Sequence, residues 1–76
     1  MELTILAFAH AREAFGFSRR TVECDPAETP RTVLTRVAPG ADLRHLAVAV
    51  DGEYTSLDEP LGAARELALI PPVSGG

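Results

Sequence analysis

The chain has 76 residues, 46% of them apolar and 24% charged, with a net charge of −4. That is one small domain of ordinary globular composition, burying only roughly 60% of the surface it exposes when unfolded, and an enclosed substrate cavity would take out much of its core. One Cys and two His exclude an internal disulfide and a four-ligand zinc site, and seven Arg with no basic run argue against nucleic-acid binding.

Leu3 to Ala9 is a nearly continuous apolar run and predicts a buried central strand. Arg12 to Phe17, with Gly16, predicts a turn or a short helical piece. Ser18 to Cys24 alternates, with Val22 and Cys24 on one side and Arg19, Thr21 and Glu23 on the other. This pattern predicts a half-exposed strand, hairpin-paired with the first. Thr29-Pro30 is a helix start, with Thr as N-cap and Pro at the first helical position. Val33, Leu34 and Val37 form its apolar stripe, and Pro39-Gly40 stops it after about nine residues. Asp42 to His45 is a polar link, and Leu46 to Val50 alternates bulky and small residues as a strand. Asp51-Gly52 is a turn pair, after which Glu53 to Thr55 continues as a short strand. Ser56 to Ala64 is loop, and Glu66 to Ile70 is the last strand.

This order predicts an α+β fold with a sheet of four to five strands and one main helix, which covers one face only. Leu3, Ile5, Val22, Val48, Val50, Leu67 and Leu69 suit the covered face. Leu6, Phe8, Ala47, Ala49, Ala68 and Ile70 fall on the other, which is too apolar for an ordinary solvated surface. Either loop residues such as Leu57 and Leu61 fold over it, or it is a protein-binding face.

Conventional catalytic signals are missing: no phosphate-binding glycine loop, no H-E-x-x-H, no nucleophile elbow. His10 and His45 show no ligand spacing to each other or to Cys24, so no metal site is expected. Cys24 shares a strand face with Val22 and is expected to be buried as a small hydrophobe. Glu13, Glu53, Asp58 and Glu59 are scattered acids of a solvated surface. No run is long enough for a membrane span and no basic segment precedes an apolar one at the start, so a cytoplasmic protein without a membrane partner is expected.

The unusual part is the end. Residues 1–70 make the domain, and 71–76 form an extended tail. Pro71-Pro72 stiffens that tail into a polyproline-like path, and Val73, Ser74, Gly75 and Gly76 complete it. Six residues reach roughly 19 Å. Gly75 and Gly76 lack Cβ and can thread a channel too narrow for other residues.

Ala68-Leu69-Ile70-Pro71-Pro72-Val73-Ser74-Gly75-Gly76 closely resembles the C-terminus of the MoaD family, the small subunit of molybdopterin synthase. The likeness extends to Ala9-His10-Ala11-Arg12-Glu13, to Val50-Asp51-Gly52-Glu53-Tyr54 and to Leu57-Asp58-Glu59-Pro60-Leu61. The resemblance implies a ubiquitin-like β-grasp fold with a mixed sheet, acting as a sulfur carrier. An E1-like adenylating enzyme would use ATP to activate the Gly76 carboxylate, and a sulfur donor would convert it to a thiocarboxylate. The large catalytic subunit of the synthase would then receive the tail and pass its sulfur to cyclic pyranopterin monophosphate. No cofactor would be bound by this chain, since ATP is used by the partner. By family position Ile70, Tyr54 and Arg12 are candidates for partner contact, with Phe8 on the same open face. A carrier for thiazole or thionucleoside synthesis, and a protein modifier conjugated through Gly76, are the competing readings.

Overall fold

The elements run along the chain as β1 (Glu2–Ala7), α1 (His10–Phe15), β2 (Arg19–Glu23), α2 (Pro30–Val37), β3 (Ala47–Val50), β4 (Glu53–Thr55) and β5 (Glu66–Ile70). The structure, a computed structural model, describes residues 1–70, and the tail expected over 71–76 lies outside the described residues. The five strands form one sheet in the order β2-β1-β5-β3-β4. β1 and β5 pair in parallel, and every other neighbour pair is antiparallel, so the sheet is mixed. The parallel pair sits in the middle, where both strands have neighbours on each side. Its inward residues Leu3, Ile5, Leu67 and Leu69 are accordingly 0% exposed.

α2 starts as the sequence dictates. Thr29 is extended and its hydroxyl accepts from the Thr32 N–H at 3.3 Å, while the Thr32 hydroxyl accepts from the Thr29 N–H at 3.0 Å. This reciprocal box satisfies two donors that would otherwise lack partners, and Pro30 occupies the first turn, where its missing N–H costs nothing. Pro30, Val33 and Leu34 are the buried side of the helix, and both Val33 and Leu34 pack in one cluster with Leu3, Ile5, Val48, Leu67 and Leu69. At the hairpin between β3 and β4, Asp51 (φ 49°) and Gly52 (φ 86°) both take positive φ, as a two-residue turn matched to strand twist requires. The Asp51 carboxylate accepts from the Arg65 and Glu66 N–H groups, each at 3.0 Å, and so ties this turn to the start of β5.

Boundaries of four elements differ from expectation. β1 ends at Ala7 rather than Ala9, because Ala9 turns to φ 49° and sends the chain into α1. α1 therefore begins earlier than expected and closes on Gly16, whose N–H donates to the Arg12 carbonyl at 2.9 Å. β2 is trimmed at both ends, to Arg19–Glu23, and β3 at its start, to Ala47–Val50. Val22 and Val50, expected on the covered face, are only half-buried there.

The loop after β4 settles the question of the second face. Leu61 belongs to the core cluster and Leu57 packs against it. The loop backbone is fastened to the N-terminal side of α2: Arg31 N–H donates to the Leu57 carbonyl at 2.9 Å, and Leu61 N–H to the Glu28 carbonyl at 2.8 Å. Both leucines thus complete the helix-side core. Of the two readings of the opposite face, the one in which these leucines fold over it is corrected.

Candidate functional site

Side chains alternate across a strand, so the residues between the core positions must share the face turned away from α2. Register makes this concrete. Arg19, Leu6, Ala68, Ala49 and Tyr54 are successive cross-strand partners from one edge of the sheet to the other. Ala47 pairs with Ile70 in the next row toward the end of β5. Ala49 is 7% exposed yet lies outside the helix-side core cluster, as a small residue flanked by larger ones on this face does. Leu6, Ala68 and Ile70 are half-buried. The large hydrophobic side chains most exposed among the described residues, Phe8 at 50% and Tyr54 at 75%, flank this alanine floor.

Of the expected contact residues, Phe8 and Arg12 come together: with Leu6 and Ser18 they line one shallow depression at the end of β1. Ile70 ends β5 on the same side of the molecule, since β1 and β5 run parallel. Tyr54 stands apart on the edge strand β4, three strand spacings from Leu6, or about 14 Å. The candidates therefore frame one face instead of converging on a point. Gly76 and the other tail positions, Pro71, Pro72, Val73, Ser74 and Gly75, lie outside the described residues.

The arginines fall into paired and unpaired sets. Arg31 pairs with Asp58, Arg36 with Glu28, and Arg44 with Asp42. These guanidiniums hold all three carboxyls below the usual carboxylate range. Arg12, Arg19, Arg20 and Arg65 make no ion pair among the described residues. Arg19 caps the cross-sheet row and Arg12 borders the depression with Phe8. Sequence reasoning had not singled out Arg19. Only strand register shows that it closes the apolar row.

The two histidines, unrelated in sequence spacing, line one cavity of about 170 Å³ with Ala11, Phe15, Asp42 and Leu46. Topology brings α1 and the segment before β3 to the same end of the sheet. Among the described residues no group of three His, Cys, Asp or Glu side chains is arranged to hold a metal ion. Cys24 is buried, and burial first, then the nearby Glu28 charge, pushes its thiol pKa up. It is a core residue at the opposite end of the sheet from Ile70. No helix among the described residues is long and apolar enough to cross a membrane.

Comparison with known proteins agrees with this geometry. The model of the ThiS family matches residues 5–76. SAMP1 from Haloferax volcanii superposes with a TM-score of 0.77 at 30% identity, covering 100% of both chains. A molybdopterin converting factor subunit 1 from Pyrococcus furiosus superposes at 0.72 with 22% identity, over 96% of this chain and 99% of that one. The small archaeal modifier protein 1 (SAMP1) of Methanosarcina acetivorans gives 0.67 at 21% identity, over 99% and 96%. These likenesses confirm the ubiquitin-like β-grasp fold.

Proposed function

The chain belongs to the ThiS family, and from that premise we propose that it is a sulfur carrier whose Gly76 carboxyl is activated and thiocarboxylated, serving as the small subunit of a molybdopterin synthase. The observation that carries the reading is the extent of the family match, which runs through the two terminal glycines to residue 76. In the first step a Gly76 carboxylate oxygen attacks the α-phosphate of ATP held by an adenylating enzyme, and pyrophosphate leaves. A sulfur nucleophile then attacks the acyl carbon, AMP leaves, and the terminus becomes a thiocarboxylate. Adenylation is needed because a carboxylate is a poor electrophile with no good leaving group.

The uncovered face supports this reading as the surface that docks on successive partners. It spans about 19 Å across the strands and about 17 Å along β5, on the order of 300–400 Å². A stable interface takes about 800 Å² from each partner. The face alone falls short, and a tail of six residues inserted into the large subunit supplies further area while it carries the sulfur to the pterin precursor. Phe8, Ile70 and Tyr54 would be the apolar anchors. Arg12 and Arg19, free of ion pairs within the described residues, favour a partner that presents acids beside them.

A second reading, attachment of Gly76 to protein amines, is favoured by the 30% identity to SAMP1 of Haloferax volcanii. One experiment separates the two. The chain is incubated with its adenylating enzyme, ATP and a sulfur donor, then with the large synthase subunit and cyclic pyranopterin monophosphate. Intact mass should show one oxygen replaced by sulfur at Gly76, reversed as the dithiolene forms. Deletion of Gly76 should abolish both. Sulfur on Cys24, or accumulation of isopeptide adducts with no dithiolene product, overturns the synthase reading.

A further inference from the structure

An activated acyl terminus is open to any good nucleophile, and amines and thiols are the strongest that proteins carry. The chain has no lysine, all seven of its cations being Arg, and it has one Cys. Its amine is therefore the α-amine of Met1 and its thiol is Cys24. The structure places these two groups side by side. The Met1 ammonium donates to the Cys24 carbonyl at 2.7 Å and pairs with the Glu23 carboxylate at 3.4 Å. The Cys24 N–H in turn donates to the Met1 carbonyl at 2.9 Å. Cys24 is 8% exposed, and its raised pKa keeps the thiol from the nucleophilic thiolate form.

Both groups lie at the end of the sheet opposite Ile70. Thr4 is level with Glu66, so Met1 is level with a point seven residues before Ile70, about 23 Å along the strand direction. Six residues, even fully extended, reach at most about 20–22 Å. A tail that first had to reverse direction would fall further short. Around the end where β5 leaves the sheet stand His10, Arg12, Asp42, Arg44 and His45, none of which bears an amine or a thiol.

We propose that the chain is an acceptor-free acyl donor: its activated Gly76 passes to an external sulfur or to another protein's amine, and is captured neither by the same chain nor by a second copy. The reaction that is avoided is aminolysis. In it the amine nitrogen forms a bond to the Gly76 carbonyl carbon, the bond to the leaving group breaks, and the nitrogen gives up a proton. Arginine in place of lysine removes that nitrogen as a nucleophile, because the guanidinium stays protonated at any physiological pH. The consequence holds for either use of Gly76. As a sulfur carrier, the chain keeps its terminus for small-molecule chemistry; as a modifier, it adds single copies and builds no chains of itself.

The inference rests on Gly76 being the activated terminus, but its test needs no adenylating enzyme. The chain is released from an intein fusion as a Gly76 mercaptoethanesulfonate thioester and held concentrated at mildly alkaline pH. Denaturing gels and intact mass should show only thioester and its hydrolysed acid. Hydroxylamine added to a parallel sample should convert the terminus fully to the hydroxamate, since it supplies the missing nucleophile. Arg44→Lys, which puts an amine on the segment leading into β3 beside the end of β5, should yield a covalent dimer that persists in excess thiol. A dimer or cyclised monomer from the unmodified chain, mapped to Met1 or Cys24, overturns the proposal. So does an Arg44→Lys thioester that stays as monomeric as the parent, because the lack of an amine would then not be what protects it. Failure of the carrier reading looks different: Gly76 would gain no sulfur from the enzyme system while the thioester behaved as described.

Discussion

The same strands build two unlike faces. Toward α2, Leu3, Ile5, Leu67 and Leu69 are sealed from solvent and packed against Val33 and Leu34. Away from α2, Leu6, Ala68 and Ile70 remain half-buried between the exposed rings of Phe8 and Tyr54. Hydropathy separates the two poorly, since β1 and β5 are apolar at nearly every position. What differs is cover. The eight-residue α2, the short α1 through Ala11 and Phe15, and one loop shield one side of a five-stranded sheet, and residues 1–70 supply nothing for the other. A leucine on one face is therefore sealed in the core, and an isoleucine three positions later stays half-buried.

Matched substitutions break this comparison most sharply. A domain of this size holds about 4–11 kcal/mol of stability. An unpaired carboxylate at a fully buried position costs about as much, so Leu67→Asp should leave a chain without cooperative thermal melting. Ile70→Asp should melt cooperatively, with circular dichroism like that of the parent. It should lose binding to the large subunit by about 3–5 kcal/mol, read by titration calorimetry, because its charge is unpaired once docked. If Ile70→Asp also unfolds, the face is core and the comparison collapses.

A smaller effect sharpens it. Thr29→Ala removes one half of the capping box and should lower stability by about 1 kcal/mol in urea unfolding. α2 touches only the covered face, so the affinity of the folded protein for its partner should stay unchanged. The smallest effect is expected with acid. Asp42, Asp58 and Glu28 have pKa values lowered by their Arg partners, so their contribution is present above the ordinary carboxylate range and fades as pH falls through the lowered values. The melting temperature should decline slightly below about pH 4, and Asp58→Asn should shrink that decline. These pairs are exposed, which keeps the change small.

Much of the fold was legible because local rules and long-range packing agree. Thr29-Pro30 names its own helix start, Asp51-Gly52 its own hairpin, and alternation assigns Leu67 and Leu69 to one face and Ala68 and Ile70 to the other. The early end of β1 was not legible: nothing in Phe8-Ala9-His10 announces the positive φ at Ala9 that opens α1. Nor does local pattern say which side of a sheet a loop will cover, so Leu57 and Leu61 could be placed only once their backbone was seen fastened to α2.

Composition by itself determined that the chain offers no side-chain amine, and the alternation of Val22 and Cys24 turned its one thiol toward the core. Those are properties of residue type and period, independent of how strands are ordered. Tertiary structure alone decided that Arg19 closes a row with Leu6, Ala68, Ala49 and Tyr54. It also decided that Met1 and Cys24 share the end of the sheet remote from Ile70. The physical reason is the parallel pairing of β1 with β5, a contact between the two ends of the domain. Such a pairing is set by which apolar strands can be buried together at the centre of the sheet, a global condition that no short stretch of sequence contains.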